Sequence, residues 1–192
     1  MADPSSGALN DQPDNTQFLS PLGFNFSIKK LPNTNYFIQS VNVPSVQATD
    51  VVVPTPFTNI PTIGDRLNYS EFQLSFKVDE DMTNYIELYD WLLQLHFPED
   101  FAQSKNIYQK QNNVDFLADG PYSDATLTIL NSAMNPNKEV VFEDCYPIAL
   151  SDLQFSTTAA SVDYIECQAT FRYRMFRILN MRGEDTQSTN IR

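Results

Sequence analysis

Alternation of apolar and polar residues at a spacing of two constrains this chain more than any other feature. Ile165, Cys167, Ala169, Phe171, Tyr173 and Met175 fall on one side of an extended segment, and Glu166, Gln168, Thr170, Arg172 and Arg174 on the other. Successive side chains of a strand point to opposite faces, so the pattern predicts one long half-buried strand of about 35 Å. The same period recurs in Phe24, Phe26 and Ile28, in Phe72, Leu74, Phe76 and Val78 within a strand expected over 66–78, and in Ala125, Leu127 and Ile129. Each such segment needs a sheet with one face on a core.

Punctuation between these segments suggests how they connect. Leu31-Pro32-Asn33-Thr34-Asn35 reads as a turn joining strands over 23–31 and 36–43 into a hairpin, because Pro fixes φ and Asn tolerates left-handed backbone. Met134-Asn135-Pro136-Asn137-Lys138 joins 124–130 to 139–143 in a second hairpin. An irregular corner at Asp144-Cys145-Tyr146-Pro147 and a short strand about 153–156 are expected next. One amphipathic helix interrupts the series: Tyr85, Leu88, Trp91, Leu92 and Leu95 recur at three and four residues, and Phe97-Pro98 ends the pattern. Asp79 and Asp81 precede it and are expected to cap its first N–H groups. Residues 99–122 are rich in Asn and Gln and read as an irregular loop.

The fold expected is mainly β, of α+β character: a β-barrel or two-sheet sandwich of seven or eight strands flanked by one α-helix. With 192 residues, 14 Phe and 9 Tyr, one domain can build its own core. The polar, aperiodic ends predict a flexible arm over 1–19 and a flexible tail over 182–192, with the folded unit at 20–181.

Within that unit, 46–64 stands apart. It carries Val51, Val52, Val53, Ile60 and Ile63, is broken by Pro54, Pro56 and Pro61, and holds no Lys or Arg. Prolines cannot donate ladder hydrogen bonds, so it cannot be a central strand throughout, and a projecting arm is expected. Apolar residues on such an arm mark a surface for association. The proposed interface residues are Val51, Val52, Val53, Pro54, Pro56, Phe57 and Ile60.

Composition bears on function chiefly by exclusion. A net charge of −12 opposes gripping nucleic acid through its phosphates, although an acidic wall lets a phosphate polymer slide without sticking. Cys145 and Cys167 form no disulfide framework or metal motif and read as buried thiols. The first residues lack the apolar run of a secretory signal, and no stretch is long enough to span a bilayer, so cytosolic synthesis is expected. The only histidine, His96, lies on the helix, and Asp79, Glu80 and Asp81 lack the spacing of a calcium loop. No catalytic residue, cofactor or metal is expected. The readings weighed are a non-enzymatic assembly subunit, a monomeric β-sandwich binding module and a carboxylate-dependent hydrolase. Arg172, Arg174, Arg177, Arg182 and Arg192 crowd the last 21 positions of an acidic chain. Arg172 and Arg174 are therefore also expected to meet the acidic middle of a neighbouring copy.

The order of features resembles the tail tube proteins of T4-like contractile phages and the related Hcp-type inner-tube proteins. Pro54-Thr55-Pro56-Phe57 is followed by Ile63-Gly64-Asp65-Arg66 and then by Phe72-Gln73-Leu74-Ser75-Phe76-Lys77-Val78-Asp79-Glu80-Asp81. The helix with Tyr85 and Trp91, the segments Tyr146-Pro147 and Ser151-Asp152-Leu153-Gln154-Phe155, and the final strand to Arg174 complete the pattern over about 22–178. The resemblance implies six copies closing into a ring with a β-lined lumen, and rings stacking into a tube that conducts DNA without binding it specifically. It implies partners among sheath, baseplate and terminator proteins, no membrane partner, and a place in the virion tail after assembly in the host cytoplasm. A tube initiator, baseplate hub or tail terminator would share the fold.

Overall fold

A computed structural model describes residues 16–96, 120–157 and 164–180. The expectations for 1–15, for Phe97-Pro98 and the loop to 119, and for the tail over 182–192 lie outside the described residues. The chain forms β1 (Phe24–Ile28), α1 (Pro32–Tyr36), β2 (Ile38–Val41), β3 (Val46–Pro54), β4 (Asn59–Tyr69), β5 (Phe72–Lys77), α2 (Thr83–His96), β6 (Ser123–Leu130), β7 (Pro136–Leu150), β8 (Glu166–Arg172) and β9 (Met175–Asn180).

Every strand pair is antiparallel. The main path runs β1-β6-β7-β8-β5-β2, with β9 on β7, while among the described residues β3 and β4 pair only with each other. The fold is mainly β with one flanking helix of 14 residues, and the path does not close into a barrel. It folds over instead, because β7 serves two sheets. Its first part lies between β6 and β9, with Val141 opposite both Thr126 and Arg177, while Tyr146–Leu150 pairs with β8. Between the two parts Asp144 takes φ 55, a left-handed conformation that Asp tolerates better than most residues.

Phenylalanines fill the space between the layers. Phe72 of β5 stacks on Phe171 of β8 at 5.0 Å between ring centres and meets Phe142 of β7 at 4.7 Å and Phe26 of β1 at 6.0 Å. The helix α2 buries Leu88 and Trp91, and the Trp91 indole N–H donates to the Pro121 carbonyl at 3.1 Å. Both cysteines are free and buried.

Several expected elements are redrawn. Pro32 starts a one-turn helix rather than a turn, and β1 and β2 leave it for different sheets, so they form no hairpin. The Asn35 amide stabilises this exit by bonding both the Ile28 N–H, at 2.9 Å, and the Ile28 carbonyl, at 3.1 Å. The strand expected over 66–78 is two: residues through Tyr69 belong to β4, and only Phe72–Lys77 joins the core sheet.

The long strand expected over 165–175 also breaks, after Arg172, where the chain passes from one sheet to the other. Its buried phase shifts there from Cys167, Ala169 and Phe171 to Phe176. Asp144-Cys145-Tyr146-Pro147 stays within β7, and 153–156 forms no strand. The helix α2 has no acidic residue in its first turn; Asp79 and Asp81 lie before it. Asn84 ties its start to β5, accepting from the Asp79 N–H at 3.2 Å and donating to the Lys77 carbonyl at 2.8 Å.

Truncating the ring at the centre of the aromatic cluster, Phe72→Ala, is expected to cost about 3–5 kcal/mol, read as a lower urea midpoint at unchanged m value. Burial pushes the Cys145 thiol up to about 12. Alkylation by iodoacetamide at pH 8 should therefore be very slow in the native protein and should rise with urea in step with unfolding.

Candidate assembly surface

The ribbon of β3 and β4 lies outside the two-layer core. It is paired from Val46 opposite Tyr69 to Pro54 opposite Asn59. The tip is a tight turn closed by the Thr55 N–H donating to the Thr58 carbonyl at 3.0 Å, with Pro56 and Phe57 between them. Pro54 and Pro61 are accommodated because a two-stranded ribbon has a free edge on each strand. Both faces are open to solvent. Val51 and Val53, opposite Thr62 and Ile60, lie on one face, and Val52, opposite Pro61, lies on the other. Phe57 is 98% exposed and Ile63 96%.

Midway along, the ladder shifts register: Ala48 pairs with Leu67 but Asp50 with Ile63, leaving Gly64, Asp65 and Arg66 opposite Thr49 alone. The Thr49 hydroxyl fills this bulge, donating to the Arg66 carbonyl at 3.2 Å and accepting from the Arg66 N–H at 3.3 Å. A side chain at Gly64 would collide with the Thr49 carbonyl. Glycine here answers a close approach of two backbones.

The ribbon's base is tied to the body. The Ser70 N–H donates to the Ser45 carbonyl at 3.0 Å, and the two hydroxyls are 2.7 Å apart. The Tyr69 ring meets those of Tyr173 and Phe176 at 6.2 and 5.7 Å. Burial, then the neighbouring Tyr69 and Cys145, pushes the Tyr173 phenol up to about 12, so it is a proton donor throughout the neutral range.

Of the expected interface residues, Val51, Val52, Val53, Pro54, Pro56, Phe57 and Ile60 all lie on the outer part of this ribbon. Arg172 and Arg174 lie away from it, at the base and the sheet corner, and have partners within the chain. Arg172 reaches Glu71 at 2.7 Å, and Arg174 reaches Glu143 at 2.6 Å and Asp144 at 3.2 Å. Both arginine side chains nevertheless stay largely exposed. Ile63 and Leu67 add apolar surface that the proposed interface set omitted. The basal contacts of Tyr69, Tyr173 and Phe176 were also missed, because a phase shift in two segments distant in sequence gives no local signal.

The exposed side chains on the outer part of the ribbon are chiefly apolar. His96 is exposed, with Nδ1 3.0 Å from the Leu92 carbonyl of its own helix. Among the described residues no three His, Cys, Asp or Glu side chains are grouped to hold a metal ion. No described helix is long and apolar enough to cross a membrane.

Comparison with known proteins adds a family and a fold. The family described as phage tail tube protein matches residues 11–179. A chain of the PVC sheath–tube complex, an extracellular contractile injection system in its extended state, superposes with a TM-score of 0.56 at 15% identity, covering 94% of this chain and 100% of that one. A chain of the PVC sheath/tube terminator in the extended state gives 0.57 at 15%, covering 86% and 99%. A chain of the tube-terminating cap of the anti-feeding prophage gives 0.55 at 13%, covering 91% and 99%. At these identities the likeness is one of fold. Comparison with curated protein sequences gave no match.

Gly64→Val should force the bulge open and free the ribbon's register, since the new side chain meets backbone rather than a movable side chain. Hydrogen exchange of β3 and β4 amides is expected to speed up while protection in β5, β7 and β8 is retained. Loss of protection in both regions together would show that the ribbon and the core unfold as one unit.

Proposed function

We propose, since this chain belongs to the phage tail tube protein family, that it is a ring-forming structural subunit whose rings stack into the conduit of a phage tail. The observation that carries this reading is the ribbon of β3 and β4, which exposes apolar side chains on both faces. A lone two-stranded ribbon is marginally stable in water. Covering the half-exposed Val51, Val52, Val53 and Ile60 and the open Phe57 and Ile63 against a neighbour would contribute about 1–3 kcal/mol each. Self-association is the economical way for a structural subunit to cover such a surface.

Other features support the same reading. Among the described residues the core sheets end in unpaired edges at β1, β2 and β9, which neighbouring copies can extend. A ring of six copies would carry six times the net charge of −12. Such a ring would repel phosphate and let DNA pass along its lumen without adhering. Sheath and baseplate proteins are the further partners proposed, and a phage tail assembled in the host cytoplasm is the proposed location. A second reading, an end-of-tube protein such as an initiator, hub component or terminator, is favoured by the likeness to the terminator and cap chains.

Purified protein at rising concentration should form rings or stacked tubes in negative-stain micrographs. Rings that never stack would favour the end-of-tube reading. A protein that stays monomeric at millimolar concentration, alone and with its tail partners, would refute both readings. Replacing residues 46–69 with two glycines between the already bonded Ser45 and Ser70 should leave a folded subunit that no longer assembles. Undiminished assembly of that variant would remove the ribbon from the interface.

A further inference from the structure

The ribbon joins the body through two chain crossings, at Ser45 and Ser70, and its packing is chiefly internal to β3 and β4. A flexible attachment there would let the ribbon sweep through many directions, and each subunit joining a ring would have to give up that freedom. Whatever fixes the base therefore sets the cost of assembly.

The contacts at that point converge on one side chain. The Tyr173 hydroxyl donates to the Ser70 carbonyl at 2.8 Å, at the residue where β4 leaves the ribbon for β5. The Tyr173 ring packs on Tyr69, the last residue of β4, at 6.2 Å, and on Phe72, the first residue of β5, at 5.8 Å. Behind it the ring meets Phe142 at 5.3 Å and Phe176 at 6.1 Å, so it is rooted in the core cluster. Tyr173 itself lies between β8 and β9, where the chain changes sheets. A crevice lined by Tyr69, Ser70, Glu71, Arg172 and Tyr173 runs along this junction.

We infer that Tyr173 is a positioning residue for assembly: it ties the ribbon's exit at Ser70 to the sheet-switch point and so presents the ribbon in one direction before a neighbour arrives. This rests on the ribbon being an assembly surface. The Arg172–Glu71 pair lies beside it, but the Arg172 side chain is largely exposed, and ion pairs with an exposed partner contribute little. The hydroxyl bond, backed by buried rings, sets the angle.

The test is Tyr173→Phe, which keeps the ring and removes the one bond. Spin labels on Phe57→Cys at the tip and Ser27→Cys on β1 report the tip-to-body distance in unassembled protein; buried Cys145 and Cys167 stay unlabelled. The distance distribution should widen in the variant. In unlabelled protein, the lowest concentration giving sedimentable rings should rise about threefold to tenfold, the range one hydrogen bond supports. The melting temperature should change little, since the ring packing is intact. An unchanged distribution, or an unchanged assembly threshold, overturns the inference. So does a melting temperature lower by more than about 5 °C, which would make the hydroxyl a support of the core rather than of the ribbon's direction. If the wild-type chain forms no rings at any concentration, the assembly reading fails by itself, and the distance distribution still decides whether Tyr173 holds the ribbon.

Discussion

One strand, β7, belongs to both sheets, and the rest of the molecule depends on how it bends. The turn of direction comes at Glu143 and Asp144, where a left-handed residue interrupts a 15-residue strand. The chain segment beside it bends at the same level: the Arg174 N–H donates to the Glu143 carbonyl at 3.0 Å, just where β8 gives way to β9. Arg174, just before β9, and Arg177, within it, close on the Glu143 carboxylate. Two neighbouring strands folding over together bring β5 and β8 to face β1 and β6, and only then can Phe72 meet Phe26 and Phe142. The aromatic core is thus a consequence of the corner and, in turn, the main source of its stability, since burial of large rings outweighs exposed ion pairs.

The same corner governs the surface proposed for assembly. Tyr173 lies at the switch between β8 and β9, with its ring in the core cluster and its hydroxyl on Ser70. The ribbon is therefore anchored at the place where the sheets exchange strands, not to an independent loop. Its outer part gains little from the subunit's own folding, because both faces stay wet. Association that covers the ribbon would stabilise the folded state by mass action. Subunit stability and assembly would then be linked through a few residues at the ribbon's base.

Much of this was legible in local pattern, but not the pairing. Phe72, Leu74 and Phe76 announce a core strand by period alone, and Leu88 and Trp91 announce the helix that covers it. Residues 46–64 are apolar and broken by proline, which excludes a central strand. The bulge at Gly64 that couples this segment to the stretch through Tyr69 depends on a backbone contact with Thr49, which no spacing rule reveals. The tie at the helix start was hidden for a similar reason: nothing in the spacing of the three carboxylates announces the buried Asn84 amide, which bonds the Asp79 N–H and the Lys77 carbonyl at the end of β5.

The sequence by itself determined the buried side of β1, β5, β6 and β8, that an amphipathic helix accompanies the sheets, and that a proline-broken apolar segment lies outside the core alternation. Those properties follow from nearest-neighbour geometry, two residues per repeat in a strand and three to four in a helix. Only the tertiary structure decided which strands are neighbours and where the chain passes between sheets. From 173 onward Tyr173, Met175 and Phe176 are all apolar, so a strand that continues and a strand that slips phase read alike. The choice was made by the corner at Glu143 and Asp144, some 30 residues earlier in the chain, against which the slipped strand is paired.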